Sequence, residues 1–220
     1  MTRSTIIRIL PAFLLFPAAH YAGGWAAITV EDLPDYIVAG EPVALTFTVR
    51  QHGMSVLKDL RPTVVAKAGK VEARVAATPG SGGQYTAMVN VPQPGEWTIT
   101  IHSNFGDSKT TLLPMTAVAS GTRALPPLPD AQRGRRLFVA KGCISCHLHG
   151  AVDAGFPGKV GPELTARRFP AEYLSSILAD PSLIRRTLAG APPMPNLNLK
   201  PREIVSLVAF INSDQALSGR

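Results

Sequence analysis

Two cysteines and a histidine stand together in the segment Cys143-Ile144-Ser145-Cys146-His147, and these side chains are the most suited to chemistry. Thiols two residues apart, followed directly by an imidazole, form the C-x-x-C-H pattern by which a c-type haem is attached. The thiols form thioethers with the haem vinyl groups, and the imidazole ligates the iron. We therefore predict one covalent haem on Cys143 and Cys146, with His147 as proximal ligand.

Two other uses of a C-x-x-C pair are less favoured. A thioredoxin-like dithiol needs a surrounding βαβ pattern, which the sequence lacks. A zinc site needs four ligands, and the chain has only 2 cysteines. His149 is a further candidate ligand, but four ligands within seven residues would be crowded.

A sixth iron ligand is predicted at Met194, in the segment Ala191-Pro192-Pro193-Met194-Pro195. The prolines stiffen this loop, and a methionine thioether raises the reduction potential of a haem. Three alternatives remain open. In the first, Met194 is not a ligand and only fills a gap in the core. In the second, His149 is the sixth ligand instead. In the third, the sixth position of the iron is empty.

Residues 1–26 are typical of an export signal, because Arg3 and Arg8 precede a short apolar core and small residues follow up to Ala26. Cleavage near Ala26 would release the protein into the periplasm. The alternative is an uncleaved anchor facing the periplasm. Residues 6–28 are long enough to span a bilayer, although their prolines and glycines make a poor spanning helix.

The net charge is +7, and from Asp130 onward the chain has 12 basic and 7 acidic residues. Two haem propionates would offset part of this charge. A basic surface steers a carrier toward partners with acidic docking surfaces. We therefore expect redox proteins as partners, with a membrane respiratory complex among them. Nucleic acid is not expected as a partner of an exported chain without a basic run interleaved with aromatics.

The chain divides into two predicted domains. Residues 39–118 show apolar residues alternating with polar ones and turn signals between the runs, which predicts that the domain at residues 27–119 is an all-β, Ig-like antiparallel sandwich of about seven strands. Residues 120–129 are a proline-rich linker of extended conformation. Residues 130–220 form the helical domain. The alternating runs begin at Val43, Val71, Tyr85 and Trp97.

Three helices are predicted in the C-terminal domain. Asp130 is expected to cap the first, which runs to about Lys141 and stops at Gly142. The second runs from Pro170 to about Leu178, with Tyr173, Leu174 and Ile177 on one face. The third opens with Pro201 at its first position, and Ile204, Leu207, Val208 and Ile211 follow at helical spacing.

Residues 130–213 resemble a class I cytochrome c of the small bacterial kind. The resemblance implies an all-α fold in which Gly134 lets the first and last helices cross closely against Phe210. It also implies that the carbonyl of Pro162 accepts the proton of His147, and that Leu164 packs on the haem. A basic side chain meets a propionate, with Arg167, Arg168, Arg185 and Arg186 as candidates. The matching motifs are Gly134-x-x-x-Phe138, Cys143-x-x-Cys146-His147, Gly161-Pro162-x-Leu164, Met194-Pro195 and residues 203–211.

Residues 39–118 more weakly resemble the YtkA-like or FixH-like exported β-sandwich modules. The motifs are Gly40-Glu41-Pro42, residues 45–49, Gly83-Gln84-Tyr85 and Pro94-Gly95-Glu96-Trp97. Some members of this class handle copper. The soft ligands that suit Cu(I) are His52, Met54, Met88, His102 and Met115.

These features predict a periplasmic c-type cytochrome that transfers single electrons, as a carrier or as a subunit of a respiratory complex, and not an enzyme in its own right. One alternative is a haem enzyme or sensor with an open sixth site. The other is a copper-handling β-sandwich whose haem domain serves as its redox partner.

Overall fold

The computed structural model describes residues 24–123, 125–152, 160–165, 167–184 and 192–213. Most of the predicted export signal lies outside these residues. Of the helices that the structure describes, none has the length and apolar character needed to cross a membrane.

The first part of the described chain is a β domain of two sheets. One sheet has the order β1-β3-β8-β7, with β4 paired to β3, and the other has the order β2-β11-β9-β5-β6, with β10 paired to β9. The strands are β1 Ala26–Val30, β2 Ile37–Val38, β3 Val43–Gln51, β4 Ser55–Val56, β5 Thr63–Ala68, β6 Val71–Ala76, β7 Thr78–Pro79, β8 Gln84–Val89, β9 Gly95–His102, β10 Lys109–Thr111 and β11 Met115–Val118.

Alternation along the strands builds the core of this domain. In β3 and β8 the paired residues Phe47 and Tyr85 are buried and stack with ring centroids 5.9 Å apart. In β9 the same alternation buries Trp97, Ile99 and Ile101. The expectation of a wholly antiparallel fold is wrong at one edge, because β2 crosses to the second sheet and pairs with β11 in parallel.

Strand β1 begins at Ala26, one residue before the predicted start of this domain and at the predicted cleavage position. Its five residues are all buried, and Ala26 pairs with Gln51 of β3. One face of the strand packs into the β core, and the other lies against the helical domain. A strand buried on both faces shows no alternation, and the sequence pattern therefore did not reveal it.

Three α-helices follow: α1 Asp130–Ala140, α2 Ala171–Ala179 and α3 Pro201–Ile211. Asp130 is the first residue of α1 and not its cap. Its carboxylate accepts a hydrogen bond of 3.1 Å from Ser206 Oγ of α3, so it fastens the start of one helix to another. In α2, Leu174 and Ile177 are buried as predicted, but Tyr173 is 55% exposed.

The crossing of α1 and α3 depends on Gly134. A Cβ added to this residue would lie 1.9 Å from the Ser206 carbonyl oxygen and 2.7 Å from Phe210 Cβ. The missing side chain lets the two backbones touch, and Phe138 and Phe210 then pack with ring centroids 5.5 Å apart. This is the crossing expected from the cytochrome c resemblance.

The two domains are fastened together around Asp35 of the β domain. Its carboxylate accepts hydrogen bonds from Arg133 and, at 3.2 Å, from the backbone N–H of Leu128, while its carbonyl accepts one of 2.8 Å from Arg136. Leu128 is itself buried, so the end of the predicted linker lies against the β domain. Pro129 has φ −54° and ψ 142°, the extended conformation expected there.

Lys141 forms a second junction, directly after α1. Its Nζ lies 2.8 Å from Glu203 Oε1 of α3 and donates to the Glu31 carbonyl of the β domain at 2.5 Å. Glu203 also accepts from the Lys200 backbone N–H at 2.9 Å and thereby caps α3. The side chains of Lys141 and Glu203 are 2% and 6% exposed, so this ion pair is buried.

Replacing Lys141 with methionine is expected to lower the free energy of unfolding by about 3 kcal/mol or more, since Glu203 would be left as a buried charge without its partner. The control is Arg74→Met, which breaks an ion pair with Glu72 whose side chains are 60% and 44% exposed. That change should cost at most about 1 kcal/mol. Urea unfolding of both variants measures the difference, and equal losses would contradict the prediction.

Candidate haem-attachment site

The end of α1 presents the two cysteines and the histidine on one compact turn. Gly142 has φ +77° and ends the helix, and residues Cys143–Ser145 form a 3₁₀ turn. The Cys143 carbonyl accepts hydrogen bonds from the backbone N–H groups of Cys146 at 3.1 Å and His147 at 2.8 Å. These bonds hold both thiols and the imidazole on a short, fixed piece of backbone.

Gly142 is also required by its surroundings. A Cβ at this position would lie 2.7 Å from the Ile28 carbonyl oxygen of β1, so only glycine allows the turn to lie against the β domain. The positive φ gives a second, independent reason for glycine.

The two thiols are half-buried and are not joined in a disulfide. Burial, together with the neighbouring Cys146, raises the pKa of Cys143 to about 12. Burial also raises the pKa of Cys146. Within this fold both groups are therefore neutral thiols at physiological pH, unlike the low-pKa thiolate of a disulfide oxidoreductase.

His147 is held in a single orientation by the segment that follows it. Its Nδ1 lies 2.9 Å from the Pro162 carbonyl oxygen, and because a carbonyl only accepts, Nδ1 carries the proton. Burial lowers the pKa of His147, an effect that the bond to Pro162 opposes. The neutral ring then presents the lone pair of Nε2, which is the form that binds a metal.

Gly161 allows this arrangement. A Cβ at this residue would lie 2.5 Å from Cε1 and 2.7 Å from Nδ1 of His147. The backbone N–H of Gly161 donates to the Cys146 carbonyl at 2.8 Å, and that of Leu164 donates to the Leu148 carbonyl at 2.8 Å. Leu164 is buried.

The residues therefore fit a c-type haem. Two neutral thiols and one imidazole of defined tautomer lie on the same turn, and this donor set matches covalent attachment with one axial nitrogen ligand. Met194 is half-buried and packs against the apolar cluster that contains Leu164 and Phe138. The residues before it, 185–191, lie outside the described part of the chain.

Comparison with known proteins points to the same region. Residues 129–211 match the family described as cytochrome C oxidase, cbb3-type, subunit III. This match supports a cytochrome c domain in this part of the chain. A cytochrome c domain implies a haem cofactor and fits a role in electron transfer.

The remaining comparisons add nothing to this result. No curated protein is significantly similar to the chain in sequence. Among solved structures, one described as a glycoside hydrolase from Bacteroides vulgatus ATCC 8482 aligns with 40% of the chain at 19% identity and a TM-score of 0.34. The chain spans 17% of that protein, and a similarity this low indicates neither a shared fold nor a shared activity.

The candidate propionate partners are only partly described. Arg167 and Arg168 are exposed residues in the segment before α2, and Arg168 donates to the Arg167 carbonyl at 3.0 Å. Arg185 and Arg186 lie outside the described residues.

His149, the competing ligand, lies in the core of the cytochrome c domain. It is 2% exposed, and its ring packs against Phe210 and Phe138 at centroid distances of 4.3 Å and 5.9 Å. Its Nδ1 accepts from the Ala151 N–H at 3.3 Å, whereas Nε2 has no partner among the described residues. Nothing in the sequence indicated that His149 packs at the helix crossing.

The soft ligands of the β domain do not converge. His52 and Met54 are exposed in the turn between β3 and β4, whereas Met88 pairs with Ala44 at the other end of β3. Met115 is 1% exposed, inside the core. In the described part of the chain, no group of three or more His, Cys, Asp or Glu side chains is placed to hold a metal ion.

Proposed function

We propose that the protein is a periplasmic c-type cytochrome that transfers single electrons through one haem, bonded to Cys143 and Cys146 and ligated by His147 and Met194. The single observation that carries the proposal is the His147 imidazole, whose Nδ1 bonds to the Pro162 carbonyl at 2.9 Å so that Nε2 is left to bind iron. A bound haem would supply an iron that alternates between Fe(III) and Fe(II). The chain binds and orients it.

Each residue of the site has a defined task in this proposal. Cys143 and Cys146 hold the haem on the turn after α1, which prevents its loss from an exported protein. Pro162 keeps the proton on His147 Nδ1 and makes Nε2 a stronger ligand. Leu164 and the core around Phe138 keep water from the porphyrin. The net positive charge of residues 130–220 favours a redox partner with an acidic docking surface, for a carrier or within a respiratory complex.

The test of this proposal is the mass and spectrum of the purified protein, matured in a host that attaches haem c. We expect a mass larger than that of the polypeptide by one haem, retained after denaturation, and a low-spin spectrum in both oxidation states. A colourless protein with the mass of the bare chain would refute the proposal. Rapid carbon monoxide binding by the reduced protein would instead indicate an open sixth site.

Replacing Met194 with alanine is expected to lower the reduction potential and to open the iron to carbon monoxide. A thioether stabilises Fe(II), and its loss leaves the sixth position vacant. Potentiometric titration and carbon monoxide binding measure the two effects. Met88→Ala is the control, since Met88 is a 53% exposed methionine of the β domain. If both variants behave like the parent protein, Met194 is not a ligand.

A further inference from the structure

The face of the β domain that meets the cytochrome c domain is formed by β1 and β3. Ala27 and Thr29 of β1 pair with Arg50 and Thr48 of β3, so the four side chains share one face of the sheet. The Thr29 hydroxyl donates to the Lys141 carbonyl at 3.4 Å, and Ala27 Cβ lies 3.8 Å from the point where a Gly142 Cβ would be. This face therefore lies directly under the start of the haem-attachment turn.

The hairpin between β3 and β4 reaches the second cysteine. Gly53, at its tip, is buried, and a Cβ there would lie 4.0 Å from Cys146 Sγ and 3.7 Å from Cη2 of Trp25. His52 and Gly53 both have positive φ, of 51° and 76°, which makes the turn tight. The β domain therefore lies next to the Cys146 sulfur, which would form one of the two thioethers.

Arg50 lies between these two contacts. It pairs with Ala27 on one side and Val56 on the other, and its carbonyl accepts a hydrogen bond of 3.2 Å from the Gly53 N–H. Its Nη1 is buried and has no hydrogen-bond partner among the described residues. The charged group that faces it is Glu31, which acts at longer range, while the Glu31 carboxylate bonds to Thr48.

A buried guanidinium nitrogen without a partner is costly, and such groups are normally paired or serve a site. Burial lowers the pKa of Arg50 and Glu31 opposes this effect; a guanidinium remains protonated at neutral pH. A positive charge close to a haem disfavours the oxidised state, which carries one more positive charge than the reduced state.

We propose that Arg50 raises the reduction potential of the haem, so that the β domain is an electrostatic part of the redox centre. The inference rests on the proposed haem at Cys143 and Cys146. Arg50 acts here as a positioning charge and not as a ligand. It gives the β domain a function in setting the potential of the cytochrome c domain.

The experiment compares Arg50→Gln with Arg74→Gln in the full-length holoprotein, by potentiometric titration at an ionic strength of about 0.1 M, where the Debye length is about 10 Å. Both variants lose one positive charge, but the Arg74 side chain is 60% exposed and belongs to the other sheet. We expect Arg50→Gln to shift the redox equilibrium toward Fe(III) several-fold and Arg74→Gln to change it by less than about twofold, because exposed charges are screened. Arg50→Lys should keep the parental potential.

A second variant covers the case in which Arg50→Gln fails to fold. Val56 is 38% exposed and is the direct cross-strand partner of Arg50, so Val56→Glu would compensate the charge without removing the side chain. It should lower the potential, whereas Val56→Gln should not. The inference is wrong if Arg50→Gln has the same potential as Arg74→Gln, or, where Arg50→Gln does not fold, if Val56→Glu has the same potential as Val56→Gln. Absence of covalent haem in the parent protein would instead overturn the proposed function.

Discussion

Replacing both Cys143 and Cys146 with alanine should abolish covalent haem binding and leave most of the cytochrome c domain unfolded. Both thiols lie on the turn that follows α1 and are the only cysteines of the chain. Without thioethers the haem is held by axial ligands alone and is lost on denaturation. A small domain built around a prosthetic group folds with that group, much as metal binding is coupled to folding.

Haem staining after denaturation, intact mass and far-ultraviolet circular dichroism measure these effects. Ser145→Ala is the matched control, because it changes the same turn and leaves both thiols in place. It should keep full haem content. A double cysteine variant that retains covalent haem would show that the attachment site lies elsewhere. A colourless variant with full helical content would contradict the coupling to folding.

Replacing Gly134 with alanine is expected to destabilise the protein by about 3 kcal/mol or more. In an isolated helix the same change would stabilise by about 1 kcal/mol, so the expected sign is opposite to that of helix propensity. The added Cβ would lie 1.9 Å from the Ser206 carbonyl oxygen and 2.5 Å from its carbon. These atoms are backbone, so α1 and α3 would have to separate and loosen Phe138 against Phe210.

The free energy of unfolding from urea titration measures this effect. Gln132→Ala is the control, since Gln132 is an exposed residue of the same helix and should change stability by less than about 0.5 kcal/mol. If Gly134→Ala proves as stable as the parent protein, the close helix crossing is absent in solution.

Much of the fold followed from local patterns. The helix ends at Gly142 and Pro201 were predicted because a positive φ and a missing N–H are properties of single residues. The alternation in β3 and β9 predicted their buried faces. Strand β1 was not predicted, since it is buried on both faces and its second face is covered by the helical domain.

The residues of the candidate site were likewise predicted only in part from the sequence. The cysteines and His147 are adjacent in sequence, and their chemistry requires only that spacing. The partnership of His147 with Pro162 came from the resemblance, because nothing local links these residues. Gly53 gave no signal, since its place beside Cys146 depends on how two domains pack, and the burial of Arg50 between strands β1 and β4 gave none either. Asp130 resembled a cap because its true partner, Ser206, belongs to another helix.

The contacts of Lys141 couple the unfolding of the two domains. One ammonium group joins the end of α1 to the start of α3 through Glu203 and to the β domain through the Glu31 carbonyl, so separating the two domains would take that carbonyl away from a buried cation. The energetic cost of that separation makes local opening at the boundary unfavourable. Heat or denaturant would therefore unfold both halves in one cooperative transition, and damage to the β half would also loosen the half that holds the haem.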